Sequence, residues 1–384
     1  MKILQICLCG SYNPKMGYQD NILPKYYVKL GFECITVTSQ YYKECGSIVR
    51  DTNYKISLEN GSELIRIPNK YRVSYKGNRF LRLYSGLYKV LVKEKPDIIF
   101  LHNFQFLSVH DVAQYCKKNK DVKVYADSHT DYVNSATNWL SKNILHKIIW
   151  RHCAKLIEPH IIKFWGVTEQ RCKFLEEVYN IPNNKIDLLV MGADDEKIDF
   201  SNKEKIYNQI RKNLSISNDE FVIITGGKID RNKNIHLLID AVNNIIDRDI
   251  KLIIFGIFDD EMKNIIEPKL ENSNIKYIGW LDADKVYEYF LASDLGVFPG
   301  THSVLWEQAV GTGLPCVFKK WDGMQHVDVG GNCIFLNNDD VDEIISSIKK
   351  TLDNSFYNEM KKYAVENGIS KFSYKEIAKK SIEV

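Results

Sequence analysis

The sequence predicts an α/β protein made of two doubly wound, Rossmann-like domains. Short β-rich runs alternate with helical patterns, and this alternation starts again after the polar, turn-rich segment 192–205. The chain also has 384 residues, which is longer than one ordinary hydrophobic core supports. Because strands that alternate with helices are typical of parallel βαβ units, we expect two such sheets with a ligand-binding cleft between two lobes.

The first half contains seven predicted strands with helical patterns between several of them. The strands are 2–7, 33–38, 63–67, 98–101, 122–126, 163–167 and 186–190. The helices are 20–30, 79–93, 108–118, 142–154 and 169–179. Each strand is a short run rich in β-branched or aromatic residues, and each helix repeats apolar residues at helical spacing.

The second half repeats this pattern from residue 221 onward. Its predicted strands are 221–225, 251–255, 275–278, 295–298, 316–318 and 333–335. We therefore expect an N-terminal domain over 1–192 and a C-terminal domain over 193–370. The last segment, about 371–384, has a helical pattern and is expected to pack back on the N-terminal domain.

The composition indicates a globular protein of the cytoplasm. Hydrophobic residues make up 45% of the chain and charged residues 26%. No apolar run approaches 18 residues, so we expect no transmembrane helix, and the N-terminus is interpreted as a strand rather than a signal peptide. The nine cysteines include no CxxC pair, which argues against a zinc ribbon and against a disulfide framework.

Charge is distributed unevenly along the chain. Residues 1–190 contain 28 Lys+Arg against 17 Asp+Glu, whereas residues 191–384 contain 24 against 32, although the net charge is only +3. A basic first half predicts an anionic partner, and an anionic membrane surface and nucleic acid both fit. No nucleic-acid recognition motif accompanies the charge, so we expect no nucleic-acid partner. Solvated faces with chance segregation are the alternative.

The segment VIITGGKIDRNKNIHLLIDAV (222–242) carries the clearest functional pattern. An apolar strand ends in two glycines, a short basic loop with Lys228, Arg231 and Lys233 follows, and an amphipathic helix comes next. Glycines allow close backbone approach, and a helix N-terminus with lysines attracts anions. The pattern is neither a Walker A loop nor a GxGxxG fingerprint. A plain strand–turn–helix with a solvated turn is the alternative.

Five motifs in order resemble retaining family 4 glycosyltransferases of the GT-B fold, of the bacterial surface-polysaccharide type. They are KPDIIFLHN (95–103), YADSHTDY (125–132), the stretch 164–194, GGKIDRNKN (226–234) and SDLGVFPGTHSVLWEQAVGTGLPCV (293–317). The resemblance implies two facing Rossmann-like domains. It also implies a nucleotide-sugar donor held mainly by the C-terminal domain, an acceptor on the N-terminal domain, retention of anomeric configuration, and no metal or other cofactor.

By this resemblance, four residues take part in catalysis: His129, Lys228, Lys233 and Glu307. The two lysines would hold the donor diphosphate as negative charge grows on the leaving group. Glu307 matches the second of the family's two glutamates and would accept hydrogen bonds from the ribose. The first of those glutamates is missing, because Pro299 stands at its position. Either His302 occupies part of its space, or the loop uses the backbone N–H groups of Ser303 and Val304 alone. The expected donor-binding residues are Gly17, Gly227, Lys228, Lys233, Gly279, His302, Ser303, Val304 and Glu307.

The acceptor is expected at the strand ends of the N-terminal domain. His129 would contact the donor sugar, while His102, Asn103 and Asp131 are the expected acceptor contacts; Asp131 has loop orientation as its alternative role. Open α/β sheets bind ligands at the carboxyl ends of their strands, which favours His102 and Asn103.

The sequence also suggests contact with a membrane. Basic residues 70, 72, 76, 79 and 82 alternate with aromatic residues 71, 75, 80 and 84, a combination that suits an anionic membrane surface. Segment 143–157 is either an amphipathic surface helix or a buried one. We therefore expect a cytoplasmic protein that is peripheral at the inner face of the cell membrane.

The expected activity is transfer of a sugar, with a UDP-sugar as the default donor, to a saccharide hydroxyl on a lipid-linked intermediate of cell-surface polysaccharide synthesis. Two alternatives stay open. One is a GT-B sugar-nucleotide epimerase, which would need no acceptor. The other is a catalytically silent GT-B subunit, for which the missing first glutamate is the best argument.

Overall fold

The protein divides into two compact units. The structure, a computed structural model, describes residues 1–44, 47–70, 75–246 and 249–383, without the side chains of residues 75, 76 and 79. Unit 1 comprises Met1–Val190 with Ile377–Val384, and unit 2 comprises Met191–Glu376. The sequence analysis placed this division at residues 192 and 193.

Within the described residues, unit 1 is built on an eight-stranded sheet. In chain order the strands of unit 1 are β1 (Lys2–Cys7), β2 (Glu33–Ser39), β3 (Tyr41–Glu44), β4 (Ser47–Arg50), β5 (Lys55–Ser57), β6 (Glu63–Ile67), β7 (Ile98–His102), β8 (Lys123–Ser128), β9 (Lys163–Gly166) and β10 (Ile186–Leu188). The sheet order is β10-β9-β8-β7-β1-β2-β6-β5, and β3 pairs with β4 in a separate hairpin. All neighbours in the sheet are parallel except β5 and β6. Side chains on both faces of the central strands are buried, as expected for a parallel sheet covered by helices.

The helices of unit 1 differ from the prediction at two places. They span Gln19–Lys29, Tyr75–Leu81, Leu87–Glu94, Val109–Lys118, Ser141–Trp150 with π-type hydrogen bonding, Arg151–Ile157 and Glu169–Tyr179. The helix predicted over 79–93 is wrong, because Arg82 and Gly86 adopt left-handed backbone angles (φ 48° and 90°) that end one helix before the next begins. The helix predicted over 142–154 is divided into the π-type segment and an α-helix.

Strands β3, β4 and β5 were not predicted. The hairpin β3–β4 alternates half-buried and exposed residues and lies outside the main sheet, and β5 has three residues at the sheet edge. Such short, polar elements at an edge carry little of the apolar periodicity on which sequence prediction depends.

Unit 2 contains a six-stranded parallel sheet within the described residues. Its strands are β11 (Phe221–Ile229), β12 (Ile250–Phe258), β13 (Ile275–Tyr277), β14 (Leu295–Phe298), β15 (Cys316–Lys319) and β16 (Cys333–Leu336), in the order β13-β12-β11-β14-β15-β16. Its helices span Lys203–Asn213, Ile235–Asn243, Asp260–Ile266, Ala283–Leu291, Leu305–Gly311, Val341–Thr351, Asn354–Tyr363 and Ile369–Lys371, with a π-type segment over Ala364–Gly368.

Each sheet has one position where the strand order changes direction. In unit 1 this switch point lies between β1 and β7, and in unit 2 it lies between β11 and β14. The loops that follow neighbouring strands there leave in opposite directions, which opens a crevice at the carboxyl edge of the sheet. Both candidate sites below are built at these two switch points.

The C-terminal segment contributes to unit 1. Helix Tyr374–Ser381 ends where the Trp165 indole donates a 2.9 Å hydrogen bond to the carbonyl oxygen of Ser381. The hydroxyls of Tyr27 and Ser381 lie 2.7 Å apart. These buried bonds attach the end of the chain to the sheet and to the first helix of the same unit.

In the part of the chain that the structure describes, no helix is both long enough and apolar enough to cross a bilayer.

A buried arginine connects the first helix of unit 2 to neighbouring backbone segments through hydrogen bonds. Arg211 is 1% exposed and donates hydrogen bonds to the carbonyl oxygens of Ala292, Ser217 and Glu220 at 2.8–3.2 Å. Its Nη2 also lies 2.6 Å from the Asp294 carboxylate. One side chain therefore donates hydrogen bonds to acceptors of four residues.

We expect Arg211→Met to destabilise unit 2 by about 3 kcal/mol, because removing one partner of a buried ion pair leaves the other charge and the carbonyls uncompensated. Urea unfolding of the full chain measures this loss. The matched control is Arg231→Met, whose arginine is 62% exposed beside an exposed Glu261, and which should change stability by less than about 0.5 kcal/mol. Equal effects of the two substitutions would contradict this assignment.

Candidate functional site

Lys233 lies at the switch point of unit 2. It ends a short turn, Arg231–Lys233, that follows β11 and precedes helix Ile235–Asn243. Its ammonium group donates a 2.6 Å hydrogen bond to the carbonyl oxygen of Thr301, in the loop after β14. Burial lowers the pKa of Lys233, and the charge of Lys228 acts in the same direction. The lysine is thus held between the two switch-point loops by a carbonyl group that a stronger acceptor can replace.

Lys228 lies on a strand rather than in the predicted loop. Strand β11 continues to Ile229, because its last residues pair with β12 in register as far as Phe258. The Lys228 side chain is 76% exposed, and its ammonium group lies 3.5 Å from Asp230. A charge on an exposed strand end remains available to an anion in the crevice.

Backbone segments approach one another closely at the ends of three neighbouring strands. Gly227 and Gly256 are paired in register and have φ angles of 114° and 121°. A Cβ on Gly256 would lie 1.8 Å from the carbonyl oxygen of Gly227, so no side chain fits there. The Gly256 N–H donates a 2.7 Å hydrogen bond to the carbonyl oxygen of Gly279. Trp280 is 65% exposed and therefore is not a core residue.

The loop after β14 packs tightly on the Lys233 turn. The Thr301 N–H donates a 2.9 Å hydrogen bond to the carbonyl oxygen of Asn232, and a Cβ on Gly300 would lie 2.2 Å from that same oxygen. Ser303 and Val304 directly precede helix Leu305–Gly311. This arrangement puts the predicted N–H donors of Ser303 and Val304 just before the start of a helix.

A buried carboxylate between two histidines lies below this loop. Glu307 is 0% exposed, and its Oε1 lies 2.9 Å from His302 Nε2 and 2.8 Å from His326 Nε2. Burial favours the neutral acid, but the charges and hydrogen bonds of the two histidines outweigh it and hold the pKa of Glu307 well below its usual range. His326 is itself held in place, because Lys371 donates a 2.7 Å hydrogen bond to its carbonyl oxygen.

This geometry leaves the ribose contact of Glu307 a prediction and adds one residue to the cluster. Glu307 was expected to accept hydrogen bonds from ribose, but in this conformation it has no exposed surface, and His302 lies against it. His302 is the part of the cluster with exposed surface, at 11% of its side chain. His326 had no assigned role in the sequence, because it lies 19 positions after Glu307, on the far side of strand β15.

A second carboxylate of this kind lies at the switch point of unit 1. Asp127 is 0% exposed, and its Oδ2 lies 2.8 Å from His102 Nδ1 and 3.4 Å from His129 Nε2. His102 ends β7 and is paired in register with Asp127 at the end of β8. The sequence predicted roles for both histidines but not for Asp127. The signal that could have identified Asp127 is its position opposite His102 in the register of β7 and β8.

The three side chains of this cluster, His102, Asp127 and His129, differ in their charge at pH 7. Burial disfavours the charged imidazole, yet the charge and hydrogen bond of Asp127, with the charge of Asp20, raise the pKa of His102 to about 9. Burial lowers the pKa of His129, and the charged His102 contributes to this lowering. Burial alone would raise the pKa of Asp127, but the two histidines hold it below its usual range. At pH 7 the cluster therefore contains an ionised Asp127, a charged His102 and a neutral His129.

Asn103 joins the two strand ends. Its left-handed backbone (φ 60°) lets its N–H donate to Asp127 Oδ1 at 2.9 Å, while its own Oδ1 accepts the His129 N–H at 3.0 Å. Asn103 and His102 thus lie together at the predicted carboxyl edge of the sheet.

Gly17 is exposed and lies two residues before helix Gln19–Lys29 of unit 1.

Asp131 does not have the geometry of an acceptor contact. It is 3% exposed, its Oδ1 accepts the N–H groups of Val133 and Asn134, and its Oδ2 accepts a 3.0 Å hydrogen bond from Arg171 Nε. Because both carboxylate oxygens are engaged within the protein, the prediction of acceptor binding is corrected in favour of loop orientation.

The two clusters also have the composition of metal sites. In each trio, His102–Asp127–His129 and His302–Glu307–His326, the possible ligand atoms lie within 4.8 Å of one another. Two imidazoles with one carboxylate suit zinc or another transition metal. The hydrogen bonds just described account for the same placement without an ion, because each buried carboxylate needs compensating donors.

We expect the stability of unit 1 to fall as the pH rises through about 9, because His102 has a raised pKa. A group whose pKa is raised on folding stabilises the folded state fully at pH values below its ordinary pKa near 6.5. This stabilisation is lost as the pH rises above about 9. The loss for a shift of this size is roughly 3 kcal/mol. Urea unfolding at pH 6 and pH 9.5 measures it, and His102→Gln should flatten the difference. An unchanged pH dependence in the variant would contradict the assignment.

Comparisons with known proteins point to one family for part of the chain. Residues 207–371, all in unit 2, match the model of the family described as Glycosyl transferases group 1. The uncharacterized glycosyltransferase MJ1607 of Methanocaldococcus jannaschii is 24% identical over 222 residues. This match covers 54% of the present chain and 55% of that protein, so the chain aligns with about half the length of this curated relative.

Solved structures agree in fold over nearly the whole chain. Alr3699/HepE of Anabaena, solved in complex with UDP, has a TM-score of 0.70 at 15% identity and covers 100% of this chain and 99% of its own. WaaG, a glycosyltransferase involved in lipopolysaccharide biosynthesis, has a TM-score of 0.63 at 15% identity, with 98% of each chain covered. Identities this low show the fold alone. Residues 207–371 are thus similar to the group 1 glycosyl transferases, and the chain has the GT-B fold.

Proposed function

We propose that the protein is a retaining glycosyltransferase that moves a sugar from a nucleoside diphosphate sugar, with UDP as the expected nucleotide, to a hydroxyl of a saccharide acceptor. The observation that carries this proposal is Lys233, held at the switch point of a group 1 glycosyltransferase domain. The UDP in the HepE structure supports the choice of nucleotide.

The diphosphate of the donor fits the surroundings of Lys233. The ammonium group now donates to the carbonyl oxygens of Thr301 and His302, at 2.6 and 3.4 Å. A diphosphate oxygen is a stronger acceptor than a neutral carbonyl, since charge-assisted hydrogen bonds are about twice as strong. The N-terminus of helix Ile235–Asn243 begins two residues later and favours the same negative charge.

These groups would assist the departure of the nucleotide. As the bond to the sugar breaks, negative charge accumulates on the diphosphate, and fixed cations stabilise that charge more than they stabilise the bound donor. Lys233 is positioned before the reaction by its two carbonyl contacts. Lys228 adds an exposed positive charge at the end of β11.

The acceptor would bind to unit 1, beside the cluster of His102, Asp127 and His129. A neutral His129 can donate to or accept from a sugar hydroxyl, and the Asn103 side chain fixes its backbone. The ionised Asp127 holds both imidazoles in fixed orientations. No step of the proposal requires a metal or other cofactor.

The proposed setting, a lipid-linked intermediate of surface-polysaccharide synthesis, would require the protein to reach a membrane. Unit 1 has an apolar stripe, defined as Trp139, Leu140, Ile144 and Ile148, whose side chains are 38–70% exposed. Three of these residues are spaced by four along one helical segment, with Lys142 and Lys147 in the same segment. Apolar side chains flanked by lysines suit an anionic lipid surface.

Two described residues of the basic–aromatic patch predicted at residues 70–84 are engaged within unit 1. Arg82 stacks on Trp150, with its guanidinium 5.0 Å from the ring centroid, and Tyr84 is only 8% exposed. Residues 71, 72 and the side chains of 75, 76 and 79 lie outside the described part of the chain. Phe80 is the described aromatic residue of the patch that is exposed, at 67%.

We expect UDP to raise the thermal-unfolding midpoint of the wild type and Lys233→Ala to weaken UDP binding by roughly 10- to 100-fold, because one charged hydrogen bond is lost. A thermal-shift panel of UDP, ADP and GDP with their sugars makes the measurement. Lys263→Ala, which removes an exposed lysine of the same unit, is the matched control. A folded wild type that no nucleotide stabilises would contradict the donor site.

Product analysis separates transfer from the alternatives. Incubation with the stabilising nucleotide sugar and a saccharide acceptor should give a new glycoside whose anomeric configuration matches that of the donor, as nuclear magnetic resonance can show. Isomerised nucleotide sugar without any acceptor would indicate an epimerase instead. Donor binding with no turnover, in the presence of an acceptor that is shown to bind, would indicate a silent subunit.

We also expect the wild type to bind vesicles rich in phosphatidylglycerol, and Ile144→Ser with Ile148→Ser to weaken that binding roughly tenfold or more, because each exposed isoleucine loses apolar burial in the lipid. Vesicle co-sedimentation measures the binding. The control is Ile246→Ser with Ile257→Ser, which changes two exposed isoleucines of unit 2. Equal binding by both double variants would overturn the role of the apolar stripe.

A further inference from the structure

A polar pocket in unit 1 has no assigned ligand. It has a volume of about 280 Å³ and is lined by residues that include Ser11, Ser39, Lys43, Asn69, Asn78 and Arg82. We call it the Arg82 pocket. It shares Cys9, Gly10 and Arg82 with a second pocket of about 170 Å³ that reaches His102 and Asn103 at the switch point. The two pockets therefore share a wall, and the second one leads to the proposed acceptor site.

Arg82 is fixed in place and has an unused donor. Its backbone adopts a left-handed angle (φ 48°), its Nη1 donates a 2.6 Å hydrogen bond to the carbonyl oxygen of Gln105, and its guanidinium lies over Trp150. Its Nε is buried and has no hydrogen-bond partner among the described residues. A guanidinium that lacks one of its hydrogen bonds is incompletely compensated, so the arrangement favours negative charge close to Arg82.

The lining of the Arg82 pocket carries positive charge, and the nearby carboxylate Asp20 lines the second pocket instead. Its described lining residues include Lys43 and Arg82 but no carboxylate. Burial raises the pKa of the Cys9 thiol to about 11, although the Arg82 charge opposes this rise, so the thiol is neutral at pH 7. Glu44, next to Lys43 on β3, is paired with Lys15 at 2.8 Å. The balance of charge therefore favours an anion.

The remaining lining groups suit sugar hydroxyls. The pocket walls are held in shape by their own hydrogen bonds: the Ser11 hydroxyl accepts the Lys43 N–H at 2.6 Å, and Asn78 Nδ2 donates to Asn69 Oδ1 at 2.9 Å. Serine hydroxyls and asparagine amides both donate and accept, as hydroxyl groups require. The volume is close to the lower end of the range for small-molecule sites, about 300 Å³.

We propose that the Arg82 pocket binds an anionic sugar unit of the acceptor, a sugar that bears a carboxylate or a phosphate, with the anion on Arg82 and Lys43. This inference rests on the proposed glycosyl transfer and names the class of its acceptor. A sugar held there would extend into the second pocket and toward His102. Because an exposed lysine contributes to binding, the affinity should fall as salt concentration rises.

The test compares four probes on the full chain: methyl glucuronoside, glucose 1-phosphate, neutral methyl glucoside and inorganic phosphate. Isothermal titration should show binding of one or both anionic sugars, roughly tenfold or more tighter than that of the neutral glucoside and of inorganic phosphate. Comparison of the first two probes distinguishes a carboxylate from a phosphate. Neutral glucoside or inorganic phosphate binding as tightly as the anionic sugars would overturn the proposal.

Two variants locate the binding. Arg82→Met should abolish it, and Lys43→Met, at an exposed position on β3, should weaken it roughly fivefold to tenfold. Lys89→Met, at an exposed position on a helix of the same unit, is the matched control. If Arg82→Met fails to fold, Lys43→Met decides, and unchanged affinity in Lys43→Met would overturn the proposal.

UDP binding is measured on the same samples to separate the two proposals. The pocket variants should retain the UDP response, and Lys233→Ala should retain the anionic-sugar response. A wild type that binds UDP but none of the anionic sugars overturns this inference alone. A wild type that binds an anionic sugar but no nucleotide overturns the donor site and leaves the pocket assignment standing.

Discussion

The compensation of a buried carboxylate by two imidazoles is the constraint on which both sites depend. Asp127 in unit 1 and Glu307 in unit 2 are each 0% exposed, and each lies within 3.4 Å of two histidine nitrogens. A carboxylate without such donors would be too costly to bury. The four histidines cannot reorient freely while these charges persist. The loops that bear them, at the carboxyl edges of the two sheets, are consequently fixed before any ligand binds.

Local patterns in the sequence predicted most of the fold but not the places where distant parts of the chain decide the conformation. The parallel strands carry continuous apolar runs, so their positions and order of appearance could be predicted. The end of β11 could not, because its extension to Ile229 depends on pairing with β12. The break at Arg82 also escaped prediction, since a left-handed arginine has no local signal and is held by Gln105 and Trp150.

The residue types of the site were predictable, whereas their partners were not. Lysines after a glycine-ended strand and histidines at strand ends can be identified from spacing, and the structure places them at the switch points. The pairing of Glu307 with His326 spans 19 residues, and that of His102 with Asp127 depends on the register of two strands. These contacts decide which side chains are exposed, and they explain why Glu307 and Asp131 have almost no exposed surface.

The hydrogen bonds of Glu307 also suggest how this chain works without the glutamate that Pro299 replaces. An ionised Glu307 can only accept hydrogen bonds, so the facing Nε2 atoms of His302 and His326 must both carry protons. In a neutral His302 this tautomer leaves Nδ1 as an acceptor. A glutamate that contacts sugar hydroxyls would likewise present acceptors, two oxygens rather than one nitrogen. The buried carboxylate thus sets the tautomer of His302 and, in the neutral imidazole, leaves its Nδ1 as a single acceptor.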